Sequence, residues 1–366
     1  MYEVLIVGAG ISGMRLAHLL QQRGIHYCLI DARLRLGGRI VSQSMAEGAQ
    51  PESGHHRYDL GPSWVWPNQP RINQLTRQLG IKLYPQYDQG TLVYQDQFGS
   101  IDTTIDAAPM SGSLRVQGGQ QSIIDHLSTK LETERVRLNH AVRSITQGKA
   151  GVSVKCATAC GTKTIHAQRI VLAVPPRLVA NAISFFPKLK PEQTQAMCDI
   201  PTWMAGQSKF TAVYSKPFWR NHGLSGDGVS HIGPLSEIHD ASPENESRGA
   251  LFGFIGWPAQ QRQALGKELI AQALSQLRQM FGPEAAHPLQ VSLQDWAADP
   301  LTATVADLEQ KAQPQSGSLK ELDHIWQGRI MFASAETAKV FSGLVEGALE
   351  AAEKAFNDLI EYEVNH

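Results

Sequence analysis

Gly8, Gly10 and Gly13 stand at GxGxxG spacing at the end of the apolar run EVLIVGAG, and Asp31 closes a second apolar run, YCLID. Each residue type answers a separate physical need. Gly8 permits a sharp turn off the first strand, Gly10 lets backbone approach a pyrophosphate, and Gly13 lets the following helix pack closely. The helix that begins at Ile11 and Ser12 would aim free N–H groups at the phosphates. Asp31 falls where a carboxylate accepts the ribose hydroxyls of an adenosine. A glycine triplet alone is weak evidence, but strand, turn, helix LAHLLQQRG, second strand and terminal acid in one run read as a dinucleotide site.

The next residues bear on which dinucleotide. DARLRLGGRI carries Ala32, Arg33, Gly37, Gly38 and Arg39, a second glycine turn flanked by guanidinium groups able to neutralise pyrophosphate oxygens. Nicotinamide enzymes do not need this element, whereas many flavoproteins carry it. GxGxxG, then an acid, an arginine and GGR, resembles the flavin-containing amine oxidoreductases, the monoamine oxidase-like family. DLGPSWVWPNQPRINQLTRQLG, residues 59–80, is similar to the family stretch that brings backbone under the flavin ring, here Gly61, Pro62, Ser63 and Trp64. RVQGGQQSIIDHL resembles the glycine turn and helix that return the chain to the cofactor domain. In VRLNHAVRSI, the resemblance implies that Val142 contacts adenine through its main chain. IVLAVPPRLV, residues 170–179, matches the double proline where the family crosses to its substrate domain.

RIMFASAETAKVFSGLVEGALEAAEKAF reads as strand, loop and a helix opened by glycine. Gly343, Leu344 and Val345 are therefore expected to present amides to the flavin edge that becomes anionic on reduction. The resemblance implies that Glu336 contacts the cofactor near its ribityl and phosphate portion. In QSKFTAVYSKPFWR it implies that Lys209 holds a water near the flavin and supports reaction with oxygen. Read without the resemblance, a lysine in a strand usually faces solvent. Alternation places Lys209, Thr211 and Val213 on one face; Lys216 reads as surface.

The fold class that follows is α/β: a discontinuous Rossmann-like FAD-binding domain with a second substrate domain built on a mixed or antiparallel sheet with helices. The cofactor domain is expected over residues 1–88, 112–178 and 316–366, forming one parallel sheet, because motifs at both chain ends must meet at one FAD. Residues 89–111 and 179–315 remain for the substrate domain, with strands in SKFTAVYS, GALFGFIGW and LQVSLQDW and an amphipathic helix in GKELIAQALSQLRQMFG. GPLSEIHDASPENESRG reads as a surface loop.

Composition adds exclusions. The chain has 366 residues, 42% hydrophobic and 18% charged, with a formal net charge of −1, so no electrostatic reason for a nucleic-acid or anionic-membrane partner exists. Cys28, Cys156, Cys160 and Cys198 form no CxxC pair; Cys156 and Cys160 flank a hairpin tip and could meet, though reduced thiols are the expectation. With the first strand starting at Tyr2, no signal peptide is expected, nor a membrane helix, and the location is read as cytoplasmic. His55 and His56 read as a solvated pair rather than metal ligands.

Three departures from the family narrow the reading. After Trp296 the chain has Val305 near the place of the cysteine that binds flavin in monoamine oxidases, so FAD is expected to be noncovalent. Ala306 and Leu344 stand where those enzymes have the two tyrosines that flank the amine. The long helical insertion that covers the family's site is replaced by DTTIDAAPMSGSL, residues 102–114. An open cleft bordered by Trp64, Lys209 and Trp296 is expected, with Trp66 read equally as domain-interface filler. The expected reaction is hydride transfer from a C–H next to nitrogen, with molecular oxygen as acceptor and an amine, bulky or macromolecule-borne, as substrate. The alternatives are a renalase-like or desaturase-type flavin oxidase, or a non-catalytic flavin-binding partner protein.

Overall fold

The strand Tyr2–Val7 is buried along Val4, Leu5 and Ile6, as a strand covered on both faces must be. In this computed structural model, which describes residues 1–45, 56–309, 320–323 and 325–365, it lies between two parallel neighbours. Tyr27–Ile30 pairs on one side and Gly161–Leu172 on the other, with Val7 opposite both Ile30 and Leu172. Ile330–Phe332 adds in parallel beyond Leu172, so the C-terminal motif joins the N-terminal sheet. The helix Ile11–Arg23 and the C-terminal helix Val345–Asn365 share one apolar cluster through Leu16, Leu20, Leu349, Ala352 and Leu359. Arg15 reaches Glu353 at 3.2 Å beside it.

This sheet is not the all-parallel one expected. Val152–Thr158 pairs antiparallel with the first half of Gly161–Leu172, while the second half of that same strand pairs parallel with Tyr2–Val7. A tip as short as residues 159–160 can join only antiparallel strands. Cys156 and Cys160 are both free, one buried in the sheet and the other exposed at the tip. Strand pairing in this sheet continues past residue 179. Ser184–Phe186 pairs with Ala141–Gln147 in the cofactor sheet, and Val179, Phe185, Met197 and Ile200 pack with Leu5 and Val7. Their apolar side chains cover that sheet before the chain departs.

The second sheet has seven strands in the order Gln290–Asp295, Ser208–Tyr214, Gly249–Ile255, Leu235–Asp240, Leu224–Ser230, Thr91–Gln95 and Ile101–Ile105. Every adjacent pair is antiparallel except Leu224–Ser230 with Thr91–Gln95. The helix Glu268–Phe281 lays Leu269, Ala273, Leu277 and Met280 on Phe210, Ala212, Ile238 and Leu251. Residues of opposite parity, Val213, Ala250 and Phe252, face the cofactor half and meet Tyr58 and Leu60. The segment expected as a surface loop supplies the strand Leu235–Asp240, whose register shifts between Leu235 and Glu237 so that Leu235 and Ile238, three residues apart, both enter the apolar cluster under the helix. Between Ile101–Ile105 and the strand Leu114–Val116 only residues 106–113 intervene, without a helix. Among the described residues no helix is long and apolar enough to cross a membrane.

Candidate functional site

At the C-terminal end of Tyr2–Val7 the glycines divide into two groups. A Cβ on Gly13 would stand 1.9 Å from the carbonyl oxygen of Gly8, and Gly8 itself has φ +104, so both are demanded by the fold. A Cβ on Gly10 would meet only the Gly38 Cα at 4.0 Å. Gly10 and Gly38 thus face each other with side-chain space unfilled, and Gly37 N–H donates to Ala9 O at 2.8 Å to hold the two turns together. The helix Ile11–Arg23 opens on Gly10 with no side-chain cap and no acid in its first turn, leaving its amides for an anion. Arg35 braces the second turn by donating to Gly38 O at 2.8 Å. Sequence reading passed over Arg35; its place between the acid and the double glycine was the only signal.

Asp31 is buried and accepts from Ala9 N at 2.6 Å and Arg33 N at 2.7 Å. Asn139 N–H donates to Arg33 O and His140 N–H to Asp31 O, which sets Ala32 and Val142 beside this corner. Arg33 turns away from the glycines: its guanidinium bonds Asp299 at 2.7 Å and Thr302 at 3.0 Å. Arg39 donates to Trp203 O at 3.0 Å, and another of its nitrogens lies 2.7 Å from Glu336 Oε1. That contact has ion-pair distance without hydrogen-bond geometry, so Oε1, on a side chain 2% exposed, keeps an unmet hydrogen bond. Ser12 joins the ends of the chain through its hydroxyl, which donates to Ala333 O.

Near the C-terminal helix one expectation changes. Gly343 N–H donates to Ala335 O at 2.9 Å and Leu344 N–H to Phe341 O at 3.0 Å, so neither amide is free. The loop closes on itself because Gly343, at φ +79, packs against Trp203, whose Cβ would lie 2.4 Å from any added side-chain carbon. The free amides begin at Val345, in the first turn of the helix. Glu346, fully buried in that turn, accepts from Arg71 N and Ile72 N and so caps the helix Pro70–Gln78.

Lys209 extends from the second sheet to the segment after Asp59. Its Nζ donates to Ser63 Oγ at 2.6 Å and Gly61 O at 3.1 Å and stands 3.8 Å from the centre of the Phe252 ring. Burial pulls its pKa down to about 7, opposed by the charge of Asp59 and reinforced by Arg115. Asp59 is itself buried, holding Ser42 Oγ and Gln120 N–H, and burial raises its carboxyl. Pro62 stands between the two acceptors, and a Cβ on Gly61 would strike Arg39 O at 2.0 Å.

Trp64 donates to Gln86 at 3.0 Å and packs edge-on against His239, with ring centres 5.0 Å apart. Trp296, only 6% exposed, donates to Leu60 O at 3.1 Å and serves to hold that segment. The expected open cleft bordered by Trp64, Lys209 and Trp296 is therefore not what forms, because Lys209 is 2% exposed on an inner strand. Trp66 lies at the start of the helix Pro70–Gln78, where its carbonyl accepts from Asn73. Lys216 is exposed; His56 contacts Ser247, and His55 lies outside the described residues. His239, which sequence reading passed over, is clamped between Asp227 and Glu237 at 2.8 Å each.

The residues present fit FAD: a glycine cradle open at Gly10 and Gly38, uncapped helix amides, and an unmatched Glu336 oxygen beside Arg39. Comparisons agree. Residues 96–360 match the family of flavin-containing amine oxidoreductases, and residues 6–79 match an NAD(P)-binding Rossmann-like domain. A Dictyostelium discoideum protein described as "Probable flavin-containing monoamine oxidase A" is 23% identical over 96% of each chain. A Mycobacterium tuberculosis protein bearing the name flavin-containing monoamine oxidase AofH is 32% identical over 70% of this chain and 54% of its own. Wild-type putrescine oxidase bound to putrescine superposes with a TM-score of 0.79 at 23% identity, covering 98% of this chain and 99% of that one. With an α/β Rossmann-type half, a mixed-sheet half and a cradle suited to FAD, the chain belongs to the flavin-containing amine oxidoreductase family and is an FAD-dependent enzyme of the amine oxidase type.

Proposed function

We propose that the chain oxidises an amine, removing hydride from the carbon next to nitrogen and passing the electrons to molecular oxygen. The substrate loses two electrons and two protons in becoming an imine, which water hydrolyses to a carbonyl and ammonia or an amine, while oxygen gains the two electrons and two protons as hydrogen peroxide. When bound, FAD supplies the hydride acceptor and carries the electron pair. Gly8, Gly10, Ile11, Ser12, Gly13 and Gly38 would hold its phosphates, Asp31 with Ala32 and Val142 its adenosine end, and Arg39 with Glu336 its middle portion. Arg33 would act on this site by tethering Asp299 across the two halves. Gly61, Pro62, Ser63 and Trp64 would border the ring, with Gly343, Leu344 and Val345 turning the helix end toward it.

The observation that carries this reading is Lys209, a buried amine with pKa about 7 held against Gly61 and Ser63. Beside the ring, such a lysine would supply a titratable positive charge that stabilises the anionic products of oxygen reduction. Attachment of FAD without a covalent bond is part of the proposal, supported by Val305 and Ala306 in place of a cysteine and tyrosine. The division into cofactor and substrate domains and a cytoplasmic location belong to it as well, the latter supported by four free cysteines.

The test is anaerobic mixing of the FAD-loaded protein with amines, amino acids and reduced pyridine nucleotides. Bleaching of the flavin band by amines, followed on aeration by peroxide, is the expected result. A flavin that dithionite reduces and no amine does would overturn the reading, and bleaching by pyridine nucleotides instead would favour the renalase-like one.

A further inference from the structure

Trp203 stands between the glycine cradle and the loop before the C-terminal helix. We propose that its indole is a binding residue for FAD, packing where the cofactor runs from its phosphates to its ring; this rests on the placement of FAD above and is independent of amine oxidation. The line on which it stands is continuous. Gly10 and Gly38 face each other across the open cradle, and Arg39 follows directly. The Arg39 guanidinium donates to Trp203 O at 3.0 Å and lies 2.7 Å from Glu336 Oε1, the oxygen with an unmet hydrogen bond. On its other side the Trp203 ring lies on Gly343, where an added Cβ would stand 2.6 Å from Cγ and 3.0 Å from Cδ1 of the indole. Gly343 N–H returns to Ala335 O, next to Glu336, which closes the circuit. A cofactor whose phosphates rest on Gly10 and Gly38 and whose ring meets Val345 passes this side chain.

The local backbone presents the indole on a fixed turn. Ala205 N–H donates to Thr202 O at 3.2 Å, which puts Trp203 and Met204 at the centre of the turn, and Met204 takes a left-handed φ of +59. A residue with a side chain adopts that conformation only where its surroundings impose it. The entry to the turn is pinned by Asp307, which accepts from Thr202 N at 3.0 Å while paired with Arg177. Its exit is pinned where Trp296 N–H donates to Gln207 O at 3.0 Å. The indole itself is unclaimed. It is half-buried, and among the described residues its N–H has no hydrogen-bond partner and its ring no aromatic neighbour. Trp64 and Trp296 differ in this respect, because each commits its N–H to a protein acceptor, Gln86 and Leu60 O respectively. A flat apolar face with a free donor suits a cofactor that offers a flat ring and hydroxyl oxygens in sequence.

ADP carries the adenosine and both phosphates of FAD without the ribityl chain and the ring. Calorimetric titration of FAD and of ADP into the flavin-free chain therefore separates the two portions. Trp203→Leu keeps an apolar side chain on Gly343 and removes the aromatic face and the N–H. It is expected to weaken FAD about tenfold or more while ADP binds as before. Trp203→Phe keeps a ring on Gly343 and should weaken FAD about threefold, again without effect on ADP, so the selectivity is measured even if Trp203→Leu fails to fold. Unchanged FAD affinity in the folded variants would overturn the proposal. An equal loss for FAD and ADP would overturn it too, returning Trp203 to a packing role for the loop. No amine enters these titrations. A chain that binds FAD through Trp203 but whose flavin no amine bleaches keeps this inference and discards oxidation, whereas a native chain that binds ADP and not FAD discards both.

Discussion

Lys209 Nζ lies 2.6 Å from Ser63 Oγ, a bond that joins the second sheet to the segment after Asp59. An ammonium group so enclosed is disfavoured by lost hydration, and Asp59 restores only part of that stabilisation. The result is a group that changes charge near neutrality. Gly61 O and the Phe252 ring hold it in one position throughout.

A pH dependence follows. The pKa of Lys209 is lowered from 10.5 to about 7, so the group is cationic below about pH 7 and neutral above it. If the cation assists oxygen reduction, the second-order rate of flavin reoxidation falls as pH rises through about 7. Lys209→Met should slow reoxidation ~10- to 100-fold and remove the pH step, while reduction by amine changes by no more than about twofold. Stopped-flow measurement separates the half-reactions. Equal small effects on both would return the lysine to a packing role.

The glycines of the first turn should separate by phenotype. Gly13→Ala places its Cβ 1.9 Å from Gly8 O and must displace backbone, so thermal unfolding without cofactor should shift sharply downward or the protein should fail to fold. Gly10→Ala meets only a 4.0 Å contact and should unfold at the same temperature, yet bind FAD at least about tenfold more weakly. FAD titration and calorimetry on both variants check this, and an unchanged FAD affinity in Gly10→Ala counts against the cradle.

Arg177 and Asp307 form a buried ion pair at 2.5 Å, and Asp307 also accepts from Thr202 N and Thr304 N. Asp307→Ala leaves a buried guanidinium and two amides unmatched, costing about 3–5 kcal/mol. Denaturant titration reads the loss directly, and a change below about 1 kcal/mol would show that the pair is dispensable.

Acid precipitation should release all of the flavin into the supernatant as FAD. Colour retained in the washed pellet would show a covalent link and contradict the reading drawn from Val305 and Ala306.

Much of the cofactor half was legible in the sequence because its determinants are local. The runs that became Tyr2–Val7 and Tyr27–Ile30, and the glycines between them, obey constraints imposed within about thirty residues: buried strands, a positive φ, a close helix. The register of the second sheet left alternation in LQVSLQDW and SKFTAVYS, and both proved to be strands. LSEIHD carries no such alternation, because a register shift between Leu235 and Glu237 breaks the period of two, and it stands among turn formers and charges. The amides of Gly343 and Leu344 could not be read, since their acceptors, Ala335 and Phe341, depend on how the loop folds around Trp203.

By itself, then, the chain's sequence determined the dinucleotide unit, the absence of a helical lid interval, and which residue types could serve a flavin. Tertiary structure alone decided the partners. Arg33 meets Asp299, Lys209 meets Ser63, and Glu346 meets Ile72 across separations that no periodicity encodes. It also decided charge: Lys209 has an ordinary ammonium in sequence, and only burial between two sheets, where water no longer solvates it, brings its proton within reach of neutral pH.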